Sequence, residues 1–237
     1  MIRLSPSSLN TFFQCPRKWF YQRSKAPQNY IDDRRALLGS AIHGMIEVYF
    51  TRQKENPTLE EIEKLAWDIY ETTYDPILKE FEKLSKKIWS NFIRFEKKRL
   101  QTWRVYKPEL VEAPFELTSG LMGIVDFYGD KKVIDWKTGS FYYMTKDYVR
   151  QGNFYKYMLT KAGYEVEDVI FVFLRDLKVV KIPDKGFGWV EEEVRRVRAM
   201  IDQGHFPKKP SKLCNYCEYR LVCEFSEDDW VSLRWWP

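Results

Sequence analysis

Apolar residues recur at helical spacing through roughly the first hundred positions and then change to strand-like alternation, and this switch divides the chain. Residues 5–23 (SPSSLNTFFQCPRKWFYQR) read as a helix capped by a serine of the Ser5–Ser8 stretch, with Cys15 near its end and Pro16 opposing simple continuation. Residues 39–53 read as a second helix. Thr58 and Glu61 form a capping box ahead of a helical run to about Asp75. Pro76 interrupts it, and helical periodicity resumes to about Arg104. The charged stretch 57–105 is expected to form a helical lobe over the functional face.

The pattern then turns to strands at 109–117 (ELVEAPFEL), 121–128 (LMGIVDFY) and 133–137 (VIDWK), with a turn at Gly129–Lys132. Residues 147–162 read as a helix stopped by Gly163. A β-branched and aromatic run, 168–175 (DVIFVFLR), reads as a buried strand with 178–183 (KVVKIP) as its hairpin partner. Residues 189–203 form a charged helix that leads into a cysteine-bearing tail. This order predicts an α/β fold, a core sheet with helices packed on it. One domain is expected over 1–237, with 57–105 as the helical lobe, 106–203 as the α/β core, and 1–30 and 204–237 joined as one region.

Composition supports an ordinary packed core, with 237 residues of which 44% are hydrophobic and 17% aromatic. No apolar run approaches the roughly 18 residues of a membrane span, and MIRLSPSSLN lacks the apolar stretch of a signal peptide. A cytoplasmic protein that does not enter a membrane is expected. The formal charge of +5 says little about partners, but its distribution says more. Residues 1–30 carry Arg3, Arg17, Lys18, Arg23 and Lys25 without an acid, and Lys208, Lys209, Lys212 and Arg220 face a single Glu218 in 203–223. Two basic, aromatic-rich segments from opposite ends of the chain can form one phosphate-binding patch or two solvated faces.

The most informative segment is GIVDFYGDKKVIDWKTG. Residues two apart in a strand face the same side, so Asp135 and Lys137 project together. A hairpin turning at Asp130–Lys131 pairs residues whose numbers sum to 261, which puts Asp126 opposite Asp135. Two carboxylates this close repel unless a cation separates them. Hard oxygen ligands suit Mg²⁺ or Mn²⁺, and with Lys137 to offset growing negative charge the set serves phosphodiester hydrolysis. A mixed-charge exposed hairpin is the bland alternative. His43 weighs against it, because the small residues Gly39, Ser40, Ala41 and Gly44 beside it permit close approach to a sheet, where it can supply a nitrogen ligand. Glu47 shares its helix face as a weaker candidate. Gln151 and Tyr155, four apart on the helix after the third strand, can reach phosphate or the attacking water. His205 is read as structural or solvated.

Cys15, Cys214, Cys217 and Cys223 form a four-thiolate set in a chain expected to be cytosolic, where disulfides are rare. One thiol alone and three together fit an iron–sulfur cluster better than the paired knuckles of structural zinc. Such a site would staple the chain ends across a loop of about 200 residues.

The ordered motifs G-x-x-x-H (39–43), G-x-x-D (123–126), D-W-K-T-G (135–139) and Q-x-x-x-Y (151–155) resemble the RecB-like branch of the PD-(D/E)XK nucleases across nearly the whole chain. Val125 stands where the superfamily name has proline. The resemblance implies a restriction-endonuclease-like mixed sheet flanked by helices. It implies that His43, Asp126, Asp135 and the Trp136 carbonyl hold the metal, that Lys137 is the catalytic lysine, and that Gln151 and Tyr155 assist. The cysteine arrangement resembles the iron–sulfur members, and among them the CRISPR-associated RecB-like exonucleases. This implies a [4Fe–4S] cluster held by Cys15, Cys214, Cys217 and Cys223. It also implies exonuclease action on single-stranded DNA, often from the 5′ end, in spacer acquisition alongside CRISPR integration proteins. The rival readings are a stand-alone repair, recombination or viral nuclease of the same chemistry, a non-catalytic DNA-binding or partner adaptor, and a redox sensor using the four thiols.

Overall fold

The computed structural model describes residues 2–73 and 75–223. The part of the expected 204–237 region from 224 onward lies outside the described residues. The elements run α1 (Pro6–Gln14), α2 (Pro16–Arg23), α3 (Arg34–Arg52), α4 (Leu59–Thr72), α5 (Pro76–Glu80), α6 (Glu82–Thr102), β1 (Leu110–Glu116), β2 (Met122–Gly129), β3 (Lys132–Lys137), α7 (Lys146–Lys161), β4 (Asp168–Phe173), β5 (Lys178–Lys181) and α8 (Phe187–Asp202). A 3₁₀ turn, Lys212–Tyr216, follows.

Local chemistry explains most boundaries. Ser5 accepts from the Ser8 amide at the start of α1, and Thr145 does the same for Tyr148 at α7. The Thr58–Glu61 capping box forms as expected. The expected 5–23 helix is instead two helices. Cys15 between them is extended, because Pro16 lacks the amide that would continue α1 and disfavours helical geometry in the residue before it. Helix α3 begins at Arg34, five residues ahead of the expected start.

The sheet has the order β1-β2-β3-β4-β5. All pairs are antiparallel except β3–β4, which is parallel and joined by the α7 crossover. The β2–β3 register is the expected one, with Phe127 opposite Ile134 and Tyr128 opposite Val133. This is a mixed α/β sheet flanked by helices, the restriction-endonuclease-like arrangement.

Side chains alternate between two cores. Phe127, Ile134, Trp136 and Val172 pack with α3 and α4–α6, whereas Val133, Phe171 and Phe173 pack with Tyr155 and Leu159 of α7. The 57–105 segment therefore buttresses the face opposite Asp135 and Lys137. Its charge hides a buried network. Arg99 donates to both Glu96 oxygens (2.9 and 2.8 Å), Tyr106 donates to Glu96 (2.7 Å), and the Tyr106 and Tyr49 hydroxyls are 2.6 Å apart. The Arg99 guanidinium also lies over the rings of Phe50, Tyr106 and Phe127. Glu96 and Arg99 are fully buried, so removing one leaves the other unpaired in a low-dielectric interior. Glu96→Ala is expected to cost about 3–5 kcal/mol of unfolding free energy, measured by urea titration.

Candidate active site

The site forms where β2 and β3 end between α3 and α7. Helix α3 brings His43. Gly39 sits one turn earlier against the loop after β3, where an added Cβ would lie 3.3 Å from Thr138 Oγ1. Gly44 has nothing within 4 Å of such a Cβ, so of the two glycines only Gly39 serves the close approach.

His43 Nε2 lies 3.0 Å from the Trp136 carbonyl, and Nδ1 lies 2.9 Å from Glu112 Oε1 and 3.6 Å from Asp126 Oδ2. The Trp136 amide donates to Asp126 Oδ2 at 2.9 Å, which ties the first aspartate to β3. Lys137 Nζ lies 2.7 Å from Asp135 Oδ2 and donates to Gln151 Oε1 at 2.9 Å. Gln151 in turn donates to Asp135 Oδ1 (2.8 Å) and to the Tyr155 hydroxyl (2.9 Å). All the residues singled out by their motifs thus meet at one end of the sheet. Glu47 is solvent-exposed, and His205 is exposed in the tail.

Glu112 was given no role on sequence grounds, yet it is the partner of His43. The missed signal is arithmetic. The β1–β2 hairpin pairs residues summing to 238, as in Val111–Phe127 and Ala113–Val125, so Glu112 falls opposite Asp126. Its φ of 42° interrupts the ladder without shifting the register. A non-glycine residue held there costs about 1–3 kcal/mol.

Electrostatically the pocket is acidic. Burial, and then the neighbouring Asp135 carboxylate, push the Asp126 pKa upward. For His43, burial opposes the charged form, but the Glu112 hydrogen bond and the Asp126 and Asp135 carboxylates outweigh it and raise the pKa. Burial, followed by the charges of Asp135 and Asp126, raises that of Tyr155. Single atoms of His43, Glu112 and Asp126 all lie within 4.8 Å of one another, close enough to share one cation, whereas the expected ligand Asp135 stands outside that group and faces Lys137 and Gln151 instead. Asp135 Oδ2 is buried and has no aligned hydrogen bond despite its ion pair with Lys137, so a lone pair remains for a further partner. A hard oxygen and imidazole donor set with excess negative charge fits a divalent cation.

Fold and site together define a metal-dependent nuclease. The chain belongs to the PD-(D/E)XK nuclease superfamily, whose family model matches residues 3–224. No curated protein matches the chain.

The cysteine region shares no residue with this site. Cys15, Cys214, Cys217 and Cys223 line one pocket. Around it the chain ends are joined by Asn29 N to Glu218 O (2.7 Å), the Lys18–Glu218 ion pair (2.8 Å) and Lys209 Nζ to Phe13 O (2.7 Å). The two basic segments do meet, but these contacts engage part of their charge internally.

A carboxyl group whose native pKa is raised stabilises the fold at low pH, and that contribution is lost as pH rises. Asp126→Asn removes the ionisation while its amide oxygen can still accept from Trp136. In EDTA the variant is expected to melt above wild type, by a margin that grows from pH 5 to pH 8 in calorimetry.

Proposed function

We propose that the chain is a DNA exonuclease acting on single strands, with Mg²⁺ or Mn²⁺ held by His43, Asp126, Asp135 and the Trp136 carbonyl. The observation that carries this reading is the convergence of those groups with Lys137 and Gln151 on one end of β2 and β3. When bound, the cation would polarise the scissile phosphate and acidify a water. Lys137 lies beside Asp135 to neutralise charge that builds on the phosphate oxygens. Gln151 bridges the Lys137 amine and the Asp135 carboxylate by hydrogen bonds and links them to Tyr155.

The preference for single strands is supported by the loop after Lys137. Phe141 packs on Phe173 at 5.0 Å and anchors the loop, while Tyr142 and Tyr143 are 84% and 70% exposed and free to stack on unpaired bases. Action from the 5′ end, and a place in CRISPR spacer acquisition with integration proteins as partners, rest on the resemblance of the cysteine arrangement. A stand-alone repair, recombination or viral nuclease would use the same chemistry. Among the described residues, no helix is long and apolar enough to cross a membrane.

A [4Fe–4S] cluster on Cys15, Cys214, Cys217 and Cys223 is part of the same proposal. A single zinc, about 2.3 Å from each thiolate, would draw the sulfurs to about 3.8 Å apart. The cysteines line one pocket, yet no three of them meet within 4.8 Å of one another among the described residues.

Two measurements test this reading. Lys137→Ala is expected to lower Mn²⁺-supported digestion of fluorescent single-stranded DNA by about 10²–10³-fold; undiminished cutting would reject the site. Anaerobically purified protein is expected to be brown, absorbing near about 400 nm, with Cys15→Ala colourless and lower-melting. Stoichiometric zinc in a colourless wild type would reject the cluster.

A further inference from the structure

We propose that Glu112 is a positioning residue: it holds the proton on His43 Nδ1 and so commits Nε2 to the metal. The inference rests on the metal-site reading above. Three independent observations support it.

The first is the backbone. Glu112 sits mid-strand, with regular pairs on both sides, yet has a φ of 42°, a region that side-chain-bearing residues avoid. A strand gains nothing from that geometry. Strain of this kind persists where the surrounding structure imposes it and a site uses it.

The second is the contact. Glu112 Oε1 meets His43 Nδ1 at 2.9 Å, while the opposite ring nitrogen faces the Trp136 carbonyl at 3.0 Å. The imidazole is therefore gripped at both ends and cannot flip without breaking both contacts. A carboxylate on one nitrogen of a metal-binding histidine fixes the tautomer and aims the other nitrogen.

The third is division of labour among the acids. Asp126 is tied to the Trp136 amide, and Asp135 to Lys137 and Gln151. Glu112 alone of the three engages the imidazole by a direct hydrogen bond. Its place on β1 brings a third strand into the site, so the imidazole is set by α3, β1 and β3 together.

The test uses full-length protein with ¹⁵N-labelled histidine and follows Mn²⁺ affinity by electron paramagnetic resonance. Glu112→Ala is expected to weaken Mn²⁺ by about 10–100-fold. Glu112→Gln, whose amide oxygen still accepts from Nδ1, is expected to stay within a few-fold of wild type. Glu112→Gly relieves the left-handed backbone, so it is expected to melt at or above wild type in EDTA while losing as much affinity as the alanine variant. In Mg²⁺-loaded wild type, long-range ¹H–¹⁵N spectra are expected to show His43 protonated at Nδ1. Wild-type affinity in Glu112→Ala would overturn the proposal. So would a metal-bound Nδ1, or a glutamine variant as weak as alanine, either of which would make Glu112 a direct ligand. Asp135→Asn separates the two levels. If it too leaves Mn²⁺ binding intact, the metal site itself has failed; if it abolishes binding while Glu112→Ala does not, only the positioning role has.

Discussion

Repulsion among Glu112, Asp126 and Asp135 is the constraint around which this structure is arranged. Carboxylates at the end of a sheet, partly removed from water, destabilise one another unless positive charge lies between them. The protein answers locally with His43 and Lys137, one on each side of the acidic group. Neither cation is spent on a distant partner. The three carboxylates outnumber these two basic groups, which leaves the pocket able to accept further positive charge, as a divalent-metal nuclease requires.

Holding like charges together requires rigid supports, and the two cores supply them on opposite faces. Beneath Trp136, the rings of Phe50, Phe92, Phe95 and Phe127 pack at centroid distances between 5.4 and 6.5 Å. The peptide carbonyl that receives His43 is thus part of a residue whose side chain is locked in an aromatic core. The buried Glu96–Arg99 pair extends this buttress, because Arg99 stacks on Phe127, the residue after Asp126. On the other face, α7 carries Gln151 and Tyr155 from the same helix that buries Phe154, Met158 and Leu159. Gly152 lets this helix approach Ile182 so closely that an added Cβ would lie 2.8 Å away. Packing and chemistry thus share the same elements.

The cysteine region solves a different problem. It gathers α1 and α2 with the segment after α8, far apart in sequence, through the Trp19–Phe206 stack and the hydrogen bonds across Glu218 and Pro207. That arrangement closes the chain around the nuclease core. It also places the four thiols around a pocket that shares no lining residue with the acidic site.

Much of this was determined by the sequence alone. The switch in hydrophobic period located the helices and strands to within a few residues. The Asp130–Lys131 turn set the β2–β3 register, and the motif order singled out His43, Asp126, Asp135, Lys137, Gln151 and Tyr155, which the fold brings to one end of the sheet. Each of these signals is local: a cap, a turn, an alternation, a four-residue spacing. What the tertiary structure decided is what no local pattern encodes. Hairpin arithmetic can set Glu112 opposite Asp126, but its contact with His43 appears only when β1 and the distant helix α3 meet. Glu96 and Arg99 resemble surface charges of a helix until the fold buries them together. The break at Cys15 is written in Pro16, but the placing of Cys15 in one pocket with Cys214, Cys217 and Cys223 comes from packing of α1 and α2 against the segment after α8, where long-range contacts outweigh local propensity.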